Sequence, residues 1–579
     1  MGGWPARTRG DVRRSSEVSY DLVSLQLPKL GTAGLRTLTR LLENPFTRRL
    51  LAERLKRDSG LARIRSDAPD ESPAFLPLHG PDDQPLPPFT RATGSDGGAP
   101  GFRFPGLDDY TQAYRSGRLT PEDVAERFLE RVERSERDGG KVPLRAFIAV
   151  SAADVRRQAK ASADRWRAGR GLGPFDGVPV AIKDEIDQAG YPTTVGTKFL
   201  GQSAVREDAT VVARLRAAGA LLVGKANMHE IGINVTGLNP HYGTTRNPYD
   251  DAFHTGGSSS GPATAVAAGL VPVAMGADGG GSIRIPAALC GLVGIKATFG
   301  RISDHGASPL CWSVGHVGPM AGTVSDCART YALVAGPDPS DPNSLGHPPV
   351  ELDESAPGSL DGVRLGIYWP WFRHATPDVV ASCEGLVRQF SDRGATLHEI
   401  EIPELDAMRA AHIVTITGEI ATAMARWYGA HRTDFSLDAR ANLAIARTSS
   451  AAEYVNAQRI RTRAIAAFAR AFAAVDVIVT PATAMAAPRI NPAAQPFGES
   501  DLGTTTELMR FAFPSNFTGH PAISFPAGYT AGGLPVGLQA IGRPWGERIL
   551  FRVAAAAEPL VRRRAPARWY SPLDEASGR

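Results

Sequence analysis

Cysteine is scarce in this chain: four in 579 residues, at 290, 311, 327 and 383. Their spacing excludes a thiolate metal site and a disulfide-dense scaffold, and their apolar or helical settings predict reduced structural thiols. Lysine is scarce as well, with eight among 64 basic residues, so arginine is the default cation. A formal net charge of +4 is too small for this length to point to nucleic acid. Long apolar runs are missing. The uncharged segment 256–277 is interrupted by glycine, serine and proline, which argues against a transmembrane helix. No apolar stretch follows Arg13-Arg14, which argues against a secretory signal and for a cytoplasmic location. Neither a metal nor a cofactor is expected.

The informative stretch runs from Gly256 to Arg284. Ser258 and Ser282 stand 24 positions apart, each behind a glycine cluster. Glycines ahead of a serine let backbone approach backbone and leave N–H groups free for a developing oxyanion, as a nucleophilic hydrolase requires. A Gly-Ser cluster alone more often marks a linker or a phosphate loop. Here no Gly-Lys-Ser/Thr ending follows, and the intervening Ala263–Ala277 carries no charge, so buried helix and strand are expected between two serine turns. Gly177-Val178-Pro179-Val180-Ala181-Ile182-Lys183-Asp184 reads as a short apolar strand with a lysine at its end. Unlike arginine, a desolvated lysine can give up its proton, so Lys183 is a candidate base.

Together these residues identify the chain as a member of the amidase signature family of serine hydrolases. The resemblance is carried by Val180–Asp184, Gly224–Met228, Thr255–Gly261, Asp278–Arg284, Gly294-Ile295-Lys296 and Leu534–Gln539. Asn227-Met228-His229-Glu230, Met408–His412 and Leu508–Phe511 are similar to its plant-type fatty acid amide hydrolase branch, over nearly the whole length. Three positions depart from the usual family pattern, Ser260, Ala277 and Ala297, none of them catalytic. The resemblance implies Ser282 as nucleophile, Ser258 as bridging serine and Lys183 as base, with a cis Gly257–Ser258 bond. It implies an oxyanion hole from the backbone N–H groups of Gly279, Gly280, Gly281 and Ser282. It also implies hydrolysis of N-acylethanolamines or related fatty amides through an acyl-enzyme.

For a relay ending on an uncharged Lys183, activity should rise toward alkaline pH. A neighbouring carboxylate would oppose the uncharged amine, so Asp184 should point away. Asp278 should organise the oxyanion turn or pair with Arg284. His229, His254 and His412 lie near the motifs and read as packing residues.

The resemblance also predicts one α/β domain over 105–575, a mixed sheet flanked by helices on both faces. Strand-like runs at Val178–Ile182, Ala220–Val223, Val475–Val479, Ala522–Phe525 and Val536–Ile541 alternate with helix-like runs at Pro121–Arg134 and Ala457–Ala473. Residues 66–104 read as a Pro/Gly-rich linker. Before it, over 18–65, Leu35, Leu38, Leu41 and Leu42 form one helical stripe, and Phe46, Leu50, Leu51 and Leu55 a second. Arginines crowd the other faces. That hairpin is expected to dock on the catalytic domain. The sharper alternative is a cap making weak, salt-sensitive membrane contact. A lipid amide is the expected small-molecule partner, nucleic acid is not, and a homodimer is the expected assembly. Alternatives left open are an amidase for short, aryl or peptide amides, an amidotransferase glutaminase subunit, and a non-catalytic lipid-binding relative.

Overall fold

The computed structural model describes residues 20–25, 27–66, 70–80, 101–137, 141–346, 348–350 and 359–575. Arg13-Arg14, the first two residues of the expected hairpin and most of the expected linker lie outside them. Among the described residues one mixed sheet runs through the molecule in the order β1-β3-β2-β4-β6-β5-β10-β11-β9-β7-β8. In chain order the strands are β1 (Phe147–Ala149), β2 (Pro179–Lys183), β3 (Leu221–Ala226), β4 (Val273–Ala277), β5 (Val293–Lys296) and β6 (Val317–Ala321). They continue with β7 (Arg364–Ile367), β8 (Thr396–Glu399), β9 (Val477–Pro481), β10 (Ala522–Tyr529) and β11 (Pro535–Gly542). β2 lies parallel between β3 and β4, whereas β4, β6, β5, β10, β11 and β9 pair antiparallel in turn.

The central strands are wholly buried, which is why they read as near-continuous apolar runs rather than alternating ones. Helices cover both faces of the sheet. Pro121–Arg137 and Ala152–Arg167 pack on one another beside β3. Leu405–Ala423 and Ala451–Phe472 form a second helical pair whose apolar sides make a core with Phe511, Phe513 and Phe517.

The parallel β2–β4 pairing fixes the place of the chemistry. Ligand sites in such sheets form beyond the carboxyl ends of the strands. With Val180 opposite Val273 and Ile182 opposite Met275, β2 ends on Lys183 where β4 ends on Ala277 and enters the glycine turn.

The two leucine stripes form helices Thr32–Glu43 and Arg48–Asp58. Leu35, Leu42 and Ala52 bury against Leu437, Ala441 and Ala444 of helix Leu437–Ala446, and Lys56 Nζ reaches Glu453 at 3.2 Å. Not every apolar side chain of the stripes turns inward: Phe46 is 94% exposed and Leu50 76%.

Candidate active site

Lys183, Ser258 and Ser282, scattered over a hundred residues of chain, meet on the wall of one cavity of about 130 Å³. Lys183 Nζ donates to Ser258 Oγ at 2.9 Å and to the Ala277 carbonyl at 3.2 Å, and the side chain is buried. The Gly257–Ser258 peptide is cis. Gly256, at φ 78°, and Gly257 let this turn press against its surroundings. A Cβ on Gly257 would come within 2.7 Å of the Gly237 nitrogen. Short buried helices follow both serines, Ser260–Ala267 and Arg284–Leu289. Among the described residues Ser282 Oγ has no hydrogen-bond partner, so the hydroxyl stands free at the cavity wall.

Asp278 organises the turn ahead of Ser282 and also pairs with Arg284. Its carboxylate accepts from the N–H of Gly281 (2.6 Å) and Ile283 (3.1 Å), and from Nε and Nη2 of Arg284, both at 3.0 Å. Arg284 is fully buried and donates further to Ser515, Asn516 and Gln539. Burial alone would raise the Asp278 carboxyl. The Arg284 charge and these hydrogen bonds outweigh it and hold the group well below the usual carboxylate range.

The turn corrects one sequence expectation. The Gly281 N–H is committed to Asp278, so it is not available to an oxyanion. The N–H groups of Gly279, Gly280 and Ser282 have no partner among the described residues and remain as donors. Gly281 serves the turn through its conformation: at φ 118°, its Cβ would fall 2.6 Å from Ile285 Cδ1.

Two neighbours escaped the sequence reading. Asp184 does point away, accepting from Thr194 and Gly196 and lying 3.8 Å from Lys225 Nζ. A carboxylate nevertheless stands beside the amine, because Glu185 Oε2 is 2.6 Å from Lys183 Nζ. β2 ends at Lys183, and the chain turns at once, with the Ile186 N–H bonded to the Lys183 carbonyl at 3.0 Å, which brings Glu185 back beside the amine. No strand period could signal this, because Asp184 and Glu185 lie in the turn. His412, read as packing, meets the glycine turn directly: its Nε2 bonds the Gly279 carbonyl at 2.8 Å. A carbonyl only accepts, so Nε2 carries the proton. Burial pushes the ring down to about 4, despite that bond, and keeps it neutral. His229, by contrast, bonds Asp438 at 3.0 Å, and the ring nitrogens of the buried His254 have no hydrogen-bond partner among the described residues. Three of the four cysteines are buried thiols as expected, whereas Cys311 lines the cavity that holds Lys183 and Ser282.

A second cavity, of about 210 Å³, meets the first at Ser282. It is walled by Leu22, Leu27, Ile413, Ile416, Met509 and Phe513. The first cavity is polar on the Lys183 side, where Glu185 and Asp304 face it. Burial and the nearby Asp341 push the Asp304 carboxyl up to about 8.

The family model described as Amidase matches residues 123–551. A fatty acid amide hydrolase of Medicago truncatula is 39% identical over 593 aligned positions, covering 96% of this chain and 97% of the relative. One of Oryza sativa subsp. japonica is 40% identical with the same coverage. Among solved structures, native peptide amidase from Stenotrophomonas maltophilia superposes with a TM-score of 0.68 at 29% identity, over 80% of this chain and 98% of the other. The chain therefore belongs to the amidase family and is an amide-hydrolysing enzyme.

Proposed function

We propose that the enzyme hydrolyses fatty acid amides, N-acylethanolamines among them, to free fatty acid and amine, by a Ser–Ser–Lys relay through an acyl-enzyme. Ser282 Oγ attacks the amide carbonyl, its proton passes to Ser258 Oγ, and Ser258 gives its own to Lys183. The oxyanion forms against the N–H groups of Gly279, Gly280 and Ser282, contacts typically worth ~3–4 kcal/mol each. The relay run backwards protonates the leaving nitrogen, and run again activates water for deacylation. The 2.9 Å contact between Lys183 and Ser258 supports this order of transfer.

The observation that carries the substrate class is the large apolar cavity opening on Ser282. An acyl chain gains about 0.8 kcal/mol per methylene buried there, so long chains should be favoured over short ones. The amine portion then lies on the Lys183 side, among polar groups. The test is turnover of N-acylethanolamines from short to long chain, with Ser282→Ala as control. A preference for short aliphatic or peptide amides would redirect the assignment within the family. Phe46 and Leu50, exposed and flanked by Arg48, Arg49 and Arg54, support weak, salt-sensitive contact with an anionic lipid surface, from which such substrates would come.

A further inference from the structure

We propose that Glu185 is the proton holder of the site: it takes a proton from Lys183 so that the amine can accept the one released by the serines. The inference rests on the Ser–Ser–Lys reading above and adds to it a residue that this reading does not use.

As it stands, Lys183 Nζ faces three oxygens: Ser258 Oγ at 2.9 Å, the Ala277 carbonyl at 3.2 Å and Glu185 Oε2 at 2.6 Å. An ammonium has three donors and no acceptor: it donates to Ser258 and Ala277, and its charge is paired with the Glu185 carboxylate. In that state it cannot receive the Ser258 proton. One N–H must first be given up, and the neighbours differ in their ability to keep it. The Ala277 carbonyl only accepts hydrogen bonds, and Ser258 must itself donate. Glu185 alone among the three becomes neutral on taking up an additional proton.

The step balances without outside reagents. A Lys183 N–H bond breaks and a Glu185 O–H bond forms, turning an ion pair into an amine and a carboxylic acid. Ser258 then protonates the amine as Ser282 protonates Ser258, and Ser282 Oγ bonds the carbonyl carbon. When the C–N bond breaks, the proton returns through Ser258 to the leaving nitrogen. Exchange of an ion pair for a neutral pair is favoured where water is excluded, and the Glu185 side chain is 10% exposed and that of Lys183 1%.

Other ionisable groups face this cavity but are not placed to substitute. Asp278 is committed to Arg284, and Asp304 accepts from the Val317 N–H. His316 Nδ1 bonds the Val314 carbonyl, and its Nε2 lies 3.3 Å from Lys296 Nζ. Burial raises the Cys311 thiol well above its ordinary range, so it stays protonated. Asp184 is turned to Lys225.

The consequence is a pH profile that belongs to the Lys183–Glu185 pair rather than to one amine. It replaces the alkaline rise expected from sequence: the wild type should be flat in kcat/KM from about pH 7 to 10. Glu185→Gln keeps the shape but cannot hold a proton. It should lose on the order of 100-fold at pH 7 and recover with rising pH, as bulk base takes up the proton that the variant cannot hold. Glu185→Asp keeps a carboxylate and should keep the flat profile at reduced rate. The proposal is overturned by a wild-type rate that climbs steadily through pH 9, by a Glu185→Gln enzyme with unchanged rate and profile, or by an acid limb that moves lower in Glu185→Gln. Fluorophosphonate labelling separates the two levels. If Ser282 is not the labelled residue in the wild type, the relay reading fails first. If Ser282 labels normally and the glutamine variant is unaltered, only the role of Glu185 falls.

Discussion

A hydroxyl, an amine and a carboxylate a few ångströms apart make single-atom substitutions informative here. Ser282→Ala removes the free oxygen at the cavity wall and should abolish both turnover and acyl-probe labelling, a loss on the order of 10⁶-fold when a nucleophile is deleted. Lys183→Ala should fall by a similar amount while still folding. Asp278 differs in kind. Its removal leaves Arg284 buried without its carboxylate, so Asp278→Ala should cost about 3–5 kcal/mol of stability, read as a lowered denaturant midpoint, in addition to lost activity. Activity lost with full stability retained would mean that Asp278 acts on substrate rather than on the turn.

At the scale of elements, the catalytic turn is held from two sides. Asp278 binds its inner face and His412, on helix Leu405–Ala423, binds the Gly279 carbonyl. Gly281→Ala meets both the positive φ and the 2.6 Å approach of Ile285, and should lose activity and about 1–3 kcal/mol. Labelling by a small acyl probe at wild-type rate would contradict this. The N-terminal segment contributes cavity wall through Leu22, which is 2% exposed. Leu22→Asn should raise KM for long-chain amides and leave short-chain turnover nearly unchanged. An equal effect on both would indicate a fold defect instead.

Across the whole molecule, buried titratable groups give stability a defined pH window. His254 and His412, pushed down to about 3 and about 4 chiefly by burial, stay neutral in the folded chain. Unfolding lets each take up a proton below its ordinary value of about 6.5, so the stability they contribute is present above that pH. It is lost as pH falls through their folded values, and Asp278, held low, adds to the loss below about pH 4. Asp304 runs the other way. Raised to about 8 by burial, it contributes stability that is complete below about pH 4 and is lost as pH rises through 8. The thermal midpoint should therefore peak near neutrality and fall on both sides, and Asp304→Asn should flatten the alkaline arm. No helix among the described residues is long and apolar enough to cross a membrane. Liposome contact through Phe46 and Leu50 should accordingly be peripheral. Sedimentation with anionic vesicles should drop sharply from 50 to 300 mM salt, and Phe46→Ser should remove it.

The sequence by itself determined much of the sheet: the runs at Val178, Ala220, Val475, Ala522 and Val536 are strands, because continuous apolar β-branched runs between turns have few other places to go. It also marked the three residues that meet at the cavity, since glycine clusters beside serine and a lysine on an apolar strand are local signals. What it could not decide depends on contacts between distant segments. Gly281 looked like an oxyanion donor until Asp278 was seen to occupy its N–H, and His412 looked like packing until helix Leu405–Ala423 came to rest on the glycine turn. The apolar cavity at Ser282 has walls from residues as far apart as Leu22 and Phe513. Local chain chemistry names groups and their periodicity, whereas the partner of each polar atom is set only when the parallel strands and the helices over them close around it.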